Sequence, residues 1–130
     1  MRTGSTEPIR AVIFHYAGTR SGEEAKALYE GFKGYLVTDA YAGYEKVENI
    51  RRALCWSHVR RYYLDSIPLD SRGKEIEGSK GAEGRAWCDR LFQTEQKLKG
   101  CSPQERAAKR LLLSGPVLEG FWSWVSETSA

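Results

Sequence analysis

No apolar run in these 130 residues approaches the ~18–20 needed to cross a bilayer, and no apolar signal-peptide core follows Arg2. The sequence thus gives no reason to expect a membrane span or a secretory leader. Cysteine is scarce: Cys55, Cys88 and Cys101 form an odd set without paired spacing. That argues against a disulfide scaffold and fits a reducing cytoplasm. A large excess of one charge is also missing, since 20 Lys plus Arg against 17 Asp plus Glu leave a net charge of +3. Global charge alone therefore makes no case for a polyanion partner. Internal repeats and low-complexity tracts are absent as well.

What is present is one domain's worth of chain, 41% apolar and 28% charged, a composition that fits a soluble globular protein. Its basic residues are distributed unevenly. Residues 51–61 contain Arg51, Arg52, Arg60 and Arg61 and no acid. Such a patch is either a solvated basic face or a surface for a polyanion.

The apolar pattern predicts an α/β first half. Residues 9–17 are almost continuously apolar and rich in β-formers, which predicts a strand buried on both faces. His15 within it reads as a hydrogen-bonded core or edge histidine. Ser21 is placed to cap a helix over 22–32, whose Ala25, Leu28, Tyr29 and Phe32 share one face. Gly34 suits the turn that closes it. Residues 35–38 read as a second strand ending at Asp39, residues 41–47 as a short helix or turn, and residues 50–56 as a third strand. A helix over 58–66 follows, with Val59, Tyr62 and Tyr63 inward, and Ile67-Pro68 ends it. Helical crossovers between strands favour parallel pairing.

The second half predicts helices only. A polar loop spans 68–80. Residues 81–99 carry Ala82, Ala86, Trp87, Leu91, Phe92 and Leu98 at helical spacing, with Cys88 a small core residue. Ser102-Pro103-Gln104-Glu105 has the form of a capping box with proline at the first helical position, starting a helix through about Leu113. Residues 117–125 form a last, strongly apolar helix after Gly115-Pro116. Its aromatics read as a packing core rather than a base-stacking surface.

Chemistry concentrates where two strands end. Asp39 closes one apolar run, and Cys55-Trp56-Ser57-His58 closes the next. In α/β sheets the C-terminal strand edge is where ligands bind. Asp39 reads either as an Asx turn or cap or as a ligand for Mg²⁺, which prefers oxygen donors. Two-metal phosphoryl chemistry requires further carboxylates beside it. Cys55 and His58 supply half of a zinc site, and no second half is visible, which argues against zinc. His58 at a helix start better suits phosphate. Arg60 and Arg61 cannot both share its face, and Arg61, three residues on, is the better companion.

Gly31-Phe32-Lys33-Gly34-Tyr35-Leu36-Val37-Thr38-Asp39-Ala40-Tyr41-Ala42-Gly43-Tyr44, followed by Cys55-Trp56-Ser57-His58-Val59-Arg60-Arg61, closely resembles the catalytic domain of transposases of the insertion-sequence-66 type. Ala82-Glu83-Gly84, Leu91-Phe92, Ser102-Pro103-Gln104-Glu105-Arg106 and Pro116-Val117-Leu118 resemble that family's following helical segment. The resemblance implies a partial ribonuclease H-like core over 1–67, a linker over 68–80 and a helical insertion over 81–130. It implies a DDE-type site, in which two Asp and one Glu hold Mg²⁺ or Mn²⁺ and a phosphodiester of DNA is cut and joined. Asp39 matches the second Asp, and so the metal ligand and catalytic residue. His58, Arg61, Arg60, Arg51 and Arg52 are the expected DNA contacts, and Cys55, Trp56, Tyr41 and Tyr44 shape the site.

The first Asp is expected upstream of Met1 and the Glu beyond Ala130, because Glu119 and Glu127 lack the family's surrounding motif. The implied chain is an internal piece of a bacterial, cytoplasmic transposase, catalytically silent and without a tightly bound ion. The alternative is a non-catalytic DNA-binding or protein-interaction remnant. A missing first strand would leave an open sheet edge, which predicts self-association.

Overall fold

The computed structural model describes residues 12–129. The chain divides into two compact units, Met1–Cys55 and Trp56–Ala130.

Among the described residues of the first unit, 13–21 form no helix or strand, and helix α1, Gly22–Leu28, follows. Ser21 caps it, its Oγ accepting from Glu24 N at 3.3 Å, and Glu23 and Glu24 place negative charge in the first turn. The helix is shorter than the 22–32 its periodicity predicts. Past Leu28 the chain tightens into three-residue turns, Glu30 N to Ala27 O and Phe32 N to Tyr29 O. Gly31, at φ 75°, then turns it into a conformation that side chains resist.

Strand β1, Gly34–Thr38, pairs in parallel with β2, Ile50–Leu54, and a 3₁₀ turn over Ala42–Lys46 lies between them in sequence. Leu36 is paired with Arg52 and Thr38 with Leu54; Tyr35 is paired with Arg51 and Val37 with Ala53. Because side chains alternate across a strand, the first set shares one face and the second the other. Leu36 and Thr38 are buried, whereas Tyr35 and Val37 are 69% and 63% exposed. The sheet therefore has one covered and one open face. Helix α1 packs chiefly on the 3₁₀ turn, whereas its apolar stripe predicts packing onto the sheet.

The expected strand over 9–17 is corrected in its described part. Residues 9–11 lie outside the described residues. From 12 to 17 only Val12 makes a bridge, and Phe14 and Tyr16 are almost fully exposed. A β-prone sequence becomes a strand only where another strand takes its backbone hydrogen bonds. His15 is exposed too, not a core histidine.

The second unit is helical: α2, Trp56–Asp65; α3, Lys80–Lys97; α4, Pro103–Leu113; and α5, Gly115–Thr128. The capping box forms as its sequence predicts. Ser102 Oγ accepts from Glu105 N at 3.3 Å, and Glu105 Oε2 accepts from Ser102 N at 3.0 Å. Ser79 caps α3. In the loop before it, Asp70 Oδ1 accepts from the amides of Arg72 and Lys74, and Leu69 bridges to Glu75.

The buried stripe of α3 is Gly81, Gly84, Cys88, Leu91 and Thr94, continued by Leu98. Ala86, assigned inward from its spacing, is exposed. The reason is the close crossing with α2, where the Tyr63 ring lies so near Gly84 that a Cβ has no room. Small residues go inside at such a crossing and larger ones flank it. Tyr63 is half-buried as expected, but Tyr62 points outward. Phe121 of α5 is 3% exposed and sits amid Trp56, Tyr63, Trp122 and Trp124, with ring centroids at 5.1–6.3 Å. The aromatics are thus mainly core, as expected, although Trp122 is largely exposed.

Candidate functional site

Asp39 directly follows β1, at the C-terminal edge of the parallel pair. Its two carboxylate oxygens have different partners. Oδ1 accepts from Tyr41 N at 3.1 Å, which closes an Asx turn. Oδ2 accepts from Arg20 Nη2 at 3.2 Å. The Asx-turn reading of Asp39 therefore holds, and the turn aims the second oxygen outward.

Arg52 fixes the backbone beneath this turn. Its Nε donates to Thr38 Oγ1 at 3.0 Å, and its Nη2 donates to the carbonyls of Asp39 and Tyr41, each at 3.1 Å. Thr38 Oγ1 in turn donates to the Asp39 carbonyl at 2.8 Å. The planar fork of arginine suits this multi-point grip, which an ammonium could not reproduce. Glu45, 3.9 Å from Nη1, and the Tyr44 ring, 5.9 Å away, flank the guanidinium. Arg52 thus holds the turn through its own side chain.

Tyr41 completes the cluster from the other side. Its hydroxyl donates to the Arg20 carbonyl, and its ring lies 4.6 Å beneath the Arg20 guanidinium. Tyr44 packs edge-on against Tyr41 at 6.0 Å and near Tyr29 at 6.4 Å. Burial raises the pKa of the Tyr29 phenol, so Tyr29 stays neutral across the physiological range. A shallow cavity of about 130 Å³ opens beside Arg20 and Tyr41, with His15, Glu24 and Tyr44 also in its wall. Arg20 and Thr38 had no role in the sequence reading. No periodic pattern marks Arg20, whose bond to Asp39 spans 19 residues of chain.

The remaining candidates divide between the units. In the first, Arg51 lies on the open sheet face, donates to Tyr35 Oη at 3.1 Å and rests 5.5 Å over its ring. Cys55 is half-buried and donates its amide to the Thr38 carbonyl at 2.8 Å. In the second unit, Trp56 packs on Phe121. His58 is half-buried, and its Nδ1 is enclosed without a hydrogen-bond partner among the described residues. Arg60 Nε donates to Asp89 Oδ1 at 2.6 Å, and that carboxylate raises its pKa further. Arg61 is exposed, 6.0 Å from the Tyr62 ring. Arg60 is thus taken up by α3, which leaves Arg61 as the solvent-facing member of the pair. Cys88 is fully buried, and burial pushes its thiol pKa up, so it is a packing residue and not a nucleophile.

Asp39 has the right donor atoms for a hard divalent cation. Among the described residues, however, no group of three or more His, Cys, Asp or Glu side chains converges as a metal site. No described helix is long and apolar enough to cross a membrane.

Comparison with known proteins gives a family and no template. No solved structure matches the chain. It is 29% identical over 140 residues to the uncharacterised protein y4hP of Sinorhizobium fredii, covering 98% of this chain and 25% of that protein. It is 29% identical over 118 residues to the uncharacterised protein y4jD of the same organism, covering 83% of this chain and 22% of that protein. The chain thus spans about a quarter of the length of these relatives. The family described as Transposase IS66 family matches residues 1–130, and the chain belongs to that family.

Proposed function

We propose that this chain is the part of a DNA-cutting and DNA-joining transposase that carries one catalytic carboxylate, Asp39. The observation that carries the reading is the built turn at the end of β1. A half-buried aspartate at a parallel strand edge has one oxygen fixed by Tyr41 N and its backbone gripped by Arg52. Membership of the transposase family supports it. In this reading the first 67 residues belong to a ribonuclease H-like core, 68–80 to a linker and 81–130 to a helical insertion. Asp39 is one of several carboxylates that together hold Mg²⁺ or Mn²⁺ in the whole protein, where the ion would polarise a phosphodiester. Arg51, Arg61 and His58 are the candidate DNA contacts. Trp56 and Cys55 act by shaping the chain around them.

One carboxylate cannot hold two ions, so the chain alone binds DNA without cutting it. The lone carboxylate also favours a second reading, a non-catalytic DNA-binding or protein-interaction remnant. Incubation of the purified chain with supercoiled plasmid and Mn²⁺ tests the first point, with no nicking expected. Nicking that disappears in Asp39→Ala would show that this chain completes a site unaided. Asp39→Ala placed in a full-length, transposition-competent member of the family that carries this segment separates the two readings. Loss of transposition supports the catalytic one, and full activity leaves the remnant. Among the described residues the sheet has two strands, and an unpaired edge would invite self-association, read by light scattering over a range of concentrations.

A further inference from the structure

We infer that Arg20 is a phosphate-binding residue of the Asp39 site, held by Asp39 until a DNA phosphodiester replaces that contact. The inference rests on Asp39 lying where DNA is handled. It starts from how Arg20 is held. The side chain is 74% exposed, yet it is held on two sides by the Tyr41 ring 4.6 Å below it and by Asp39 Oδ2 at 3.2 Å. Its own carbonyl accepts from the Tyr41 hydroxyl, which fixes the backbone from which it projects. An exposed ion pair of this kind contributes little to stability. Its arrangement is therefore poorly explained as a brace.

The contrast with Arg52, the other arginine at this turn, sharpens this. Arg52 uses three hydrogen bonds inside the protein. Arg20 uses one N–H on one oxygen and makes no other side-chain hydrogen bond among the described residues. The unused edge of its fork matches the paired oxygens of a phosphate.

The electrostatics give the exchange a direction. A phosphodiester beside Asp39 meets a carboxylate of like charge, and Arg20 offsets that repulsion. Asp39 in turn competes with phosphate for Arg20. Removing the Asp39 charge while keeping its shape should therefore strengthen DNA binding, and the gain should require Arg20.

The test is fluorescence anisotropy of the full 130-residue chain with a short DNA duplex, without divalent ions, across a salt series. Arg20→Ala is expected to weaken binding roughly tenfold at low salt and to reduce the log–log salt slope by about one. Asp39→Asn, which preserves the Asx turn, is expected to bind roughly threefold tighter, and Arg20→Ala/Asp39→Asn to lose that gain. Arg20→Lys keeps the charge without the fork and should fall between. Wild-type affinity and slope in Arg20→Ala, or a gain from Asp39→Asn that survives Arg20→Ala, would overturn the inference while leaving the chain a DNA binder. Absence of DNA binding by wild type and Asp39→Asn alike would overturn both the inference and the DNA-handling reading.

Discussion

The two units of this chain are held in different ways, the first mainly by polar contacts and the second by a packed core. Through Cys55, the described residues bury only Leu36, Thr38 and Val47, yet they carry Asp39 and the arginines that order it. From Trp56 onward, the chain buries Ile67, Cys88, Leu91, Leu98 and Phe121, and its hydrogen bonds mainly cap helices and link them. Parallel strands normally need both faces covered, and a sheet of two strands is marginal alone. The first unit therefore holds its site through polar contacts, while the second holds its shape through a core.

Tryptophan placement allows each half to be followed separately. All four, Trp56, Trp87, Trp122 and Trp124, belong to the second unit. Phe121→Ala removes the ring around which Trp56, Tyr63 and Trp124 pack and should cost that unit about 3–5 kcal/mol in urea unfolding followed by tryptophan fluorescence. The β1 and β2 amides should keep their hydrogen-exchange protection. Leu36→Ala should do the reverse, costing the first unit about 2 kcal/mol, at the low end for a leucine because its surroundings are thin. Exchange at β1 should accelerate with the tryptophan transition unmoved. If both variants shifted both signals equally, the units would be one cooperative body and the comparison would fail.

Arg52→Gln probes the polar side of the division. It strips the Tyr41 carbonyl and Thr38 Oγ1 of a donor and should cost about 1–2 kcal/mol. The loss should be concentrated in faster exchange at the Tyr41 amide, which the Asx turn protects. Arg52→Lys should recover only part of it, because one ammonium does not span the three acceptors. Complete recovery by lysine would mean that charge, not the fork, holds the turn.

What could be read from the sequence follows the range of the interactions. The caps at Ser21 and Ser102 are local, so residue type and spacing reveal them. Both strands of the parallel pair and the position of Asp39 follow from short apolar runs that end abruptly. The inward face of α3 was harder to read. Hydropathy ranks Ala86 above Gly84, but a close approach by Tyr63 selects the residue without a side chain. The strand expected over 9–17 does not form over its described residues 13–17, although their propensity favours one. Arg20 was invisible because its meaning lies in a contact 19 residues away. Arg52 was visible as a charge, but its inward role was not, since that depends on which sheet face position 52 occupies.

The smallest expected effect is electrostatic and belongs to the packed unit. Arg110 donates from Nε and Nη2 to the two oxygens of Glu95, both at 2.7 Å, and this fork holds the Glu95 carboxyl below its ordinary pKa. Because the folded-state pKa is depressed, the pair's contribution is fully present above the unfolded carboxylate's value, about 4.3. It is lost as pH falls through the lower, folded value. Both side chains are 40–50% exposed, so screening keeps the contribution under about 1 kcal/mol. The tryptophan-monitored urea midpoint of wild type should therefore exceed that of Glu95→Gln at neutral pH, with the gap closing as acidification carries the pH below the unfolded carboxylate's value. A gap that persists in acid would assign the pair's worth to packing of the two side-chain stems. Equal midpoints at every pH would leave the second unit's stability to its core, and so widen the contrast with the polar framework around Asp39.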